Sequence, residues 1–156
     1  EKTNQSPDLA LFKAEIAEYL NDENAKIAAL EDFDTNVQNN LYGVMYNTHT
    51  IELHVENAKR VDTALEIAKN EIMNRSTPET YDLLAYSYFK DGDTGKALEL
   101  MEKHVQGKTF EPMAQYHMAQ IYKANGNLDM VQSIKKELEE ASFELGPNMV
   151  KAIQEL

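Results

Sequence analysis

Four histidines, at 49, 54, 104 and 117, are the side chains best suited to holding a metal or moving a proton. A zinc-binding helix presents two imidazoles at i and i+4, one turn apart on one face. His49 and His54 are five apart, which turns them to different faces, and they are expected as exposed or interfacial residues. His104 falls at a core position, where a hydrogen-bonded packing role is expected rather than a base. His117 follows Tyr116, and no serine or aspartate stands at a spacing that makes a triad legible. Glu31-Asp32-Phe33-Asp34 gathers carboxylates, but the glycine and terminal glutamate of a 12-residue calcium loop are missing. An acidic helix end is expected there. Gly92-Asp93-Thr94-Gly95-Lys96 does not have the spacing of a phosphate loop. The chain has no cysteine, which excludes disulfides, thiolate metal sites and cysteine nucleophiles. These residue types and spacings point to a protein without catalytic residues, metal or cofactor.

The elements that carry these residues repeat. Pro78 and Pro112 are 34 apart, and so are Leu84 and Met118, Ala85 and Ala119, Tyr88 and Tyr122, and Gly92 and Gly126. Asp91-Gly92-Asp93 returns as Asn125-Gly126-Asn127, and Ala97 returns as Val131. Proline opens a helix where a missing N–H costs nothing. Alanine permits close helix contact, and glycine takes the left-handed conformation that ends one helix and lets the next reverse. Helix, turn and helix at a fixed period form a unit that buries its apolar face only by stacking on another.

At these positions the chain resembles the tetratricopeptide repeat family. Tyr81, Leu84, Ala85, Tyr88, Gly92, Ala97 and Met101 stand where that family places large, Leu, small, Tyr, Gly, Ala and large residues. Met118, Ala119, Tyr122, Gly126 and Val131 continue the pattern, while Gln115 replaces an opening aromatic and His104 an alanine. The pattern is strong over residues 78–143. A looser copy lies upstream, where Ala64 precedes Ala97 by 33. The resemblance implies an all-α fold, a right-handed superhelical solenoid of antiparallel helix pairs. It also implies a binding groove. A second stripe runs roughly 100° around from the core stripe on the first helix of each unit. It comprises His49, Leu53 and Glu56, then Asp82, Tyr86 and Phe89, then Tyr116, Gln120 and Lys123. In the family this stripe lines the concave surface that holds partner segments, and aromatic residues are what such a surface uses. The core stripe is expected to bury Tyr88, and the groove stripe to expose Tyr86 and Phe89. The lysine and asparagine set with which chaperone-binding members grip a C-terminal carboxylate is absent.

Composition sets the outer bounds. With 156 residues the chain is expected to form one domain, and 42% hydrophobic with 27% charged residues is ordinary for a soluble helical protein. A formal charge of −12 argues against nucleic acid or an anionic membrane as partner. No apolar run approaches the length of a membrane span. The first residues, Glu1-Lys2-Thr3, lack a methionine. A processed product or fragment is expected, and a soluble one; its compartment is left open between the cytoplasm and, if a signal peptide has been removed, the periplasm.

In chain order, residues 1–6 read as a disordered lead-in, and Ser6-Pro7-Asp8 as a helix start. Leu9, Phe12, Ile16, Tyr19 and Leu20 give one apolar stripe, Asn21–Asn24 a break, and Ile27, Leu30 and Phe33 a short helix. Val37, Leu41, Val44, Thr48, Ile51 and Val55 predict one long helix of roughly 20 residues. The β-branched cluster Thr48-His49-Thr50-Ile51 marks where it would break. Asn57 is expected to cap a helix through Val61, Ala64, Leu65, Ala68 and Ile72. Divergent helices over 7–55, repeat units over 56–143 and a capping helix over 147–156, opened by Pro147, complete about nine helices. The function expected is capture of a peptide or partner-protein segment in the groove. The alternatives are a structural or self-associating domain, forming a homo-oligomer, and a non-catalytic part of a larger enzyme or assembly protein.

Overall fold

The computed structural model describes residues 6–56 and 58–156, with only the backbone of 142–144. The lead-in at 1–5 and the cap at Asn57 lie outside the described residues. Nine helices and no strand occur among those residues: α1 Pro7–Tyr19, α2 Glu23–Asn36, α3 Asn47–Val55, α4 Val61–Asn74, α5 Pro78–Lys90, α6 Thr94–His104, α7 Pro112–Ala124, α8 Leu128–Glu140 and α9 Ser142–Gln154. The fold is all-α. None of these helices is long and apolar enough to cross a membrane. The chain divides into two compact units, one ending at Tyr46 and one spanning Asn47–Leu156.

The first unit is the helical hairpin α1–α2 with the turns that follow it. Asn21, at φ 56°, reverses the chain, and Asp22 caps α2 by accepting from the Ala25 N–H at 3.0 Å. The buried face of α1 is not the stripe of large residues. Pro7, Ala10, Ala14 and Ala17 are buried, whereas Leu9, Phe12, Ile16, Tyr19 and Leu20 are exposed, Phe12 by 62%. Alanine side chains allow two helix backbones to approach closely, and here that contact decides which face is inside. Phe33 is fully buried and meets the edge of the Tyr46 ring, with centroids 5.9 Å apart.

The long helix expected from Val37 to Val55 is not formed. Residues 37–46 are a run of turns, and helix resumes only at Asn47. The break comes earlier than the β-branched cluster because Gly43 sits at φ 53° and Asn39 Oδ1 accepts from the Leu41 N–H at 3.1 Å. Asparagine and glycine offer the backbone a turn that competes with helix. Leu41, which fits the helical period, is left 86% exposed.

The second unit is built from helical hairpins. α3 packs on α4, α5 on α6 and α7 on α8, and the first helices also pack side by side, α3 on α5 and α5 on α7. The turns repeat as closely as the sequence does. Gly92 has φ 93° and Gly126 φ 78°. The Gly92 and Asp93 N–H groups donate to the carbonyls of Phe89 and Tyr88 at 3.1 and 2.9 Å. Thirty-four residues on, those of Gly126 and Asn127 donate to Lys123 and Tyr122 at 3.1 and 3.0 Å. This is a left-handed glycine stop that satisfies the last helical carbonyls. Asp93 and Asn127 then cap the next helices by accepting from the N–H groups of Lys96 and Met130.

Ala64, Ala68, Ala85, Ala97 and Ala119 have no exposed surface, and Met101, Val105 and Ile121 are equally buried beside them. Large side chains of this kind each contribute roughly 1.5–3 kcal/mol by burial. Gln115, at the position of the missing aromatic, is buried, and its amide donates to the Thr109 carbonyl at 2.9 Å, tying α7 to the preceding loop. His104 lies flat on Tyr81 with centroids 3.7 Å apart. Gly146, at φ 74° and ψ 168°, interrupts α9, so that helix starts afresh at Pro147.

Candidate functional site

α3, α5 and α7, lying side by side, present one face of the second unit, and two adjoining hollows run along it. The first, of about 350 Å³, is lined by Glu52 and Glu56 of α3 and the following turn, Tyr86 and Lys90 of α5, and Met113, Tyr116, His117 and Gln120 of α7. The second, of about 340 Å³, shares Tyr116 and Gln120 and continues over Phe89, Lys123 and Ala124 to Ala152, Glu155 and Leu156. Of the stripe read from the sequence, Glu56, Tyr86, Phe89, Tyr116, Gln120 and Lys123 are thus brought together on one surface. His49 and Leu53 line neither hollow. His49 is exposed and meets Glu52 at 3.3 Å, and Leu53 is half-buried. Asp82 is buried beneath the surface, only 4% exposed.

The expected separation of the two stripes on α5 is reversed for its tyrosines. Tyr86 is 5% exposed, while Tyr88 is only partly buried, with the Lys69 ammonium 5.5 Å from its ring centroid. A helix flanked on both sides has little free surface, and α5 packs on both α3 and α7. Phe89 remains partly buried, its ring 5.8 Å from that of Tyr86.

Polar atoms hold this face together. His117 Nδ1 donates to Asp82 Oδ2 at 2.9 Å, linking α7 to α5 with both side chains buried. The carboxylate can only accept, which fixes the proton on Nδ1. The imidazole stacks on the Tyr86 ring at 3.7 Å between centroids. Tyr86 in turn donates its hydroxyl to Glu56 Oε1 at 3.2 Å. Burial, with the Glu56 carboxylate beside it, pushes the Tyr86 phenol far above its ordinary range, so it remains a donor. Burial also raises the Tyr116 phenol, against a smaller opposing effect from the Gln120 amide that donates to it at 2.9 Å.

One cation belongs to the first hollow. Lys90 Nζ lies 2.8 Å from Glu56 Oε1 and 5.1 Å from the centroid of the Tyr86 ring. In the second, Lys123 Nζ donates to the backbone carbonyl of Glu155 at 2.9 Å, holding the end of α9 against the groove. Among the described residues no cluster of histidine, aspartate and glutamate is arranged to hold a metal ion.

Of the residues lining the first hollow, the sequence stripe does not include Glu52, Lys90, Met113 and His117. A signal for each was present. Glu52 is one turn before Glu56, Lys90 one turn after Tyr86, and Met113 one turn before Tyr116. The period of 34 sets Asp82 level with Tyr116, so His117 had to lie within reach of it on the neighbouring helix.

Comparison of the chain with protein-family models, with curated proteins and with solved structures found no match.

Proposed function

We propose that residues 47–156 form a short right-handed solenoid of the tetratricopeptide type. Its function is to bind a peptide or partner-protein segment along the face of α3, α5 and α7, without chemistry of its own. The observation that carries this reading is the convergence of Glu56, Tyr86, Phe89, Tyr116, Gln120 and Lys123 on two adjoining hollows. Aromatic rings in a concave, partly desolvated surface are the usual anchors of such complexes. The experiment is photo-crosslinking. Benzoylphenylalanine replaces Met113 or Lys123 in the groove, and Glu99 or Gln132 as exposed positions on the second helices, in extract of the source cells. Discrete adducts from 113 and 123 but not from 99 and 132 are expected. Adducts of the same partners from all four positions would rule out a groove-specific interaction.

A second reading, self-association, is favoured by the exposed stripe Leu9, Phe12, Ile16, Tyr19 and Leu20 on α1. Contiguous apolar surface of this kind marks an interaction site. Light scattering over a hundredfold range of concentration decides it, since a constant monomer mass is incompatible with a homo-oligomer.

A further inference from the structure

We propose that the first hollow is a receptor for a cationic side chain, lysine or arginine, of the partner segment, and that Lys90 is its resident occupant. The inference rests on the groove reading above and names the chemistry of what the groove takes. Its ground is that the chain already places an ammonium there. Lys90 meets the Glu56 carboxylate at 2.8 and 3.0 Å and lies over the Tyr86 ring. A ring face and a carboxylate converging on one point make a site for a positive charge.

The rest of the lining agrees. Glu52 adds a second carboxylate, Tyr116 a second phenol ring, and the buried Gln120 Oε1 has no hydrogen-bond donor. Lysine and arginine are donors only, which is what a lining rich in acceptors requires. Exchange also favours a cation over an anion. A cationic side chain that displaces Lys90 leaves Glu56 paired and lets the flexible Lys90 stem turn to water, so no ion pair is lost. An anionic ligand drawing Lys90 away would leave Glu56 unpaired beside Glu52 and meet both carboxylates itself. The formal charge of −12 adds long-range attraction for a basic segment.

This arrangement makes an uncommon prediction: removing a positive charge from the binding surface strengthens binding. Lys90→Met retains much of the aliphatic stem, vacates the carboxylate and opens the Tyr86 ring. Glu56→Gln, at a carboxylate 61% exposed, removes the anion and keeps an amide oxygen that can accept from the Tyr86 hydroxyl. The test is an NMR titration of the full chain with acetyl-arginine methylamide, acetyl-lysine methylamide and acetyl-glutamate methylamide at constant ionic strength. The two cationic probes should saturate shifts at the amides of Tyr86, Lys90, Tyr116 and Gln120. Affinity should rise about fivefold in Lys90→Met and fall about fivefold in Glu56→Gln, the scale of one ring–cation or ion-pair contact. Thermal melts of both variants within a few degrees of the parent establish that the fold is kept. Unchanged or weakened cation binding in Lys90→Met overturns the proposal, as does equal saturation of these amides by the glutamate probe. No saturation by any probe, in parent and Lys90→Met alike, overturns it too. In each of these cases the cross-links from positions 113 and 123 decide separately whether the groove itself binds a partner.

Discussion

Asp82 and Tyr86 show how a stripe that the period assigns to the surface becomes part of the interior. The hydrogen bond from His117 to Asp82 and the stacked ring of Tyr86 join α5 to α7, and the phenol reaches on to Glu56. Tyr86→Ala should therefore lower stability by about 3–5 kcal/mol, as aromatic truncations in cores do. Tyr88→Ala, at a ring that is only partly buried, should lower it by about 1–2 kcal/mol. Urea denaturation of the two variants checks the order, and a larger loss at Tyr88 would contradict it. The period places Tyr88 on the core stripe and Tyr86 on the exposed one, the reverse of their burial, because helical periodicity describes one helix and carries no information on how many neighbours flank it. Glu71 makes the same point for a charge. It is 1% exposed, and accepts from Asn47 at 2.8 Å and from the Arg75 guanidinium at 2.7 Å. Burial alone would raise its carboxyl, but the hydrogen bonds from Arg75 and Asn47 outweigh that and hold it below the ordinary range. A carboxyl lowered on folding contributes stability above the unfolded value, about 4.3, and that contribution is lost as pH falls through the folded one. Glu71→Gln should thus be less stable than the parent at pH 7, with a deficit that shrinks below about pH 4. Urea midpoints measured from pH 7 to pH 3 test this, and a deficit independent of pH would mean that the charge contributes nothing.

The turns are the elements most legible in the sequence, because their residues act locally. The two Asx-Gly-Asx tripeptides each supply a helix stop and the cap of the next helix, and the hydrogen bonds recur at the same positions 34 residues apart. The strain of a side chain at Gly92 or Gly126 comes from φ alone, since an added Cβ meets nothing within 4 Å at either. Valine at either position should destabilise by more than about 1 kcal/mol, and asparagine by clearly less, because asparagine tolerates the left-handed region. Gly95 lies inside α6, where a Cβ meets only the Asp93 carboxylate at 4.0 Å. Gly95→Ala should stabilise by roughly 0.5–1 kcal/mol. Thermal melts of these variants provide the check, and equal losses for valine and asparagine would show that φ is not what the glycine supplies. Residues 37–46 were not legible for the complementary reason. Their apolar spacing fits a helix, but Asn39, Asn40 and Gly43 favour turns, and no facing element buries Leu41 or Val44 to reverse that preference.

At the scale of the whole molecule, the division at Tyr46 separates two kinds of core. In the second unit the interior combines small residues at helix crossings with Leu84, Met101, Met118, Tyr122, Ile134 and Leu138 around them. In the first, the buried apolar residues are Pro7, Ala10, Ala14, Ala17, Ala29, Phe33 and Tyr46 among the described residues. Alanine adds about one methyl group of burial apiece, near 0.8 kcal/mol, against the 1.5–3 kcal/mol of a larger side chain. Two helices held largely by alanines have little to offset the entropy of ordering them. The larger unit also carries its own polar ties: the Thr77–Thr80 capping box on α5, the Glu71 cluster and the Asp82–His117 pair all lie within residues 47–156. Stability should therefore be graded along the chain, with the hairpin α1–α2 opening at lower free energy than α5 to α8. Native-state hydrogen exchange should find the amides of residues 10–34 exchanging well before those of 80–136. A chain of residues 47–156 should unfold in one cooperative transition, with a urea midpoint close to that of the main transition of the full chain. Loss of cooperative unfolding in that shortened chain, or uniform protection across residues 10–136 in the full one, would mean that the two units fold as one.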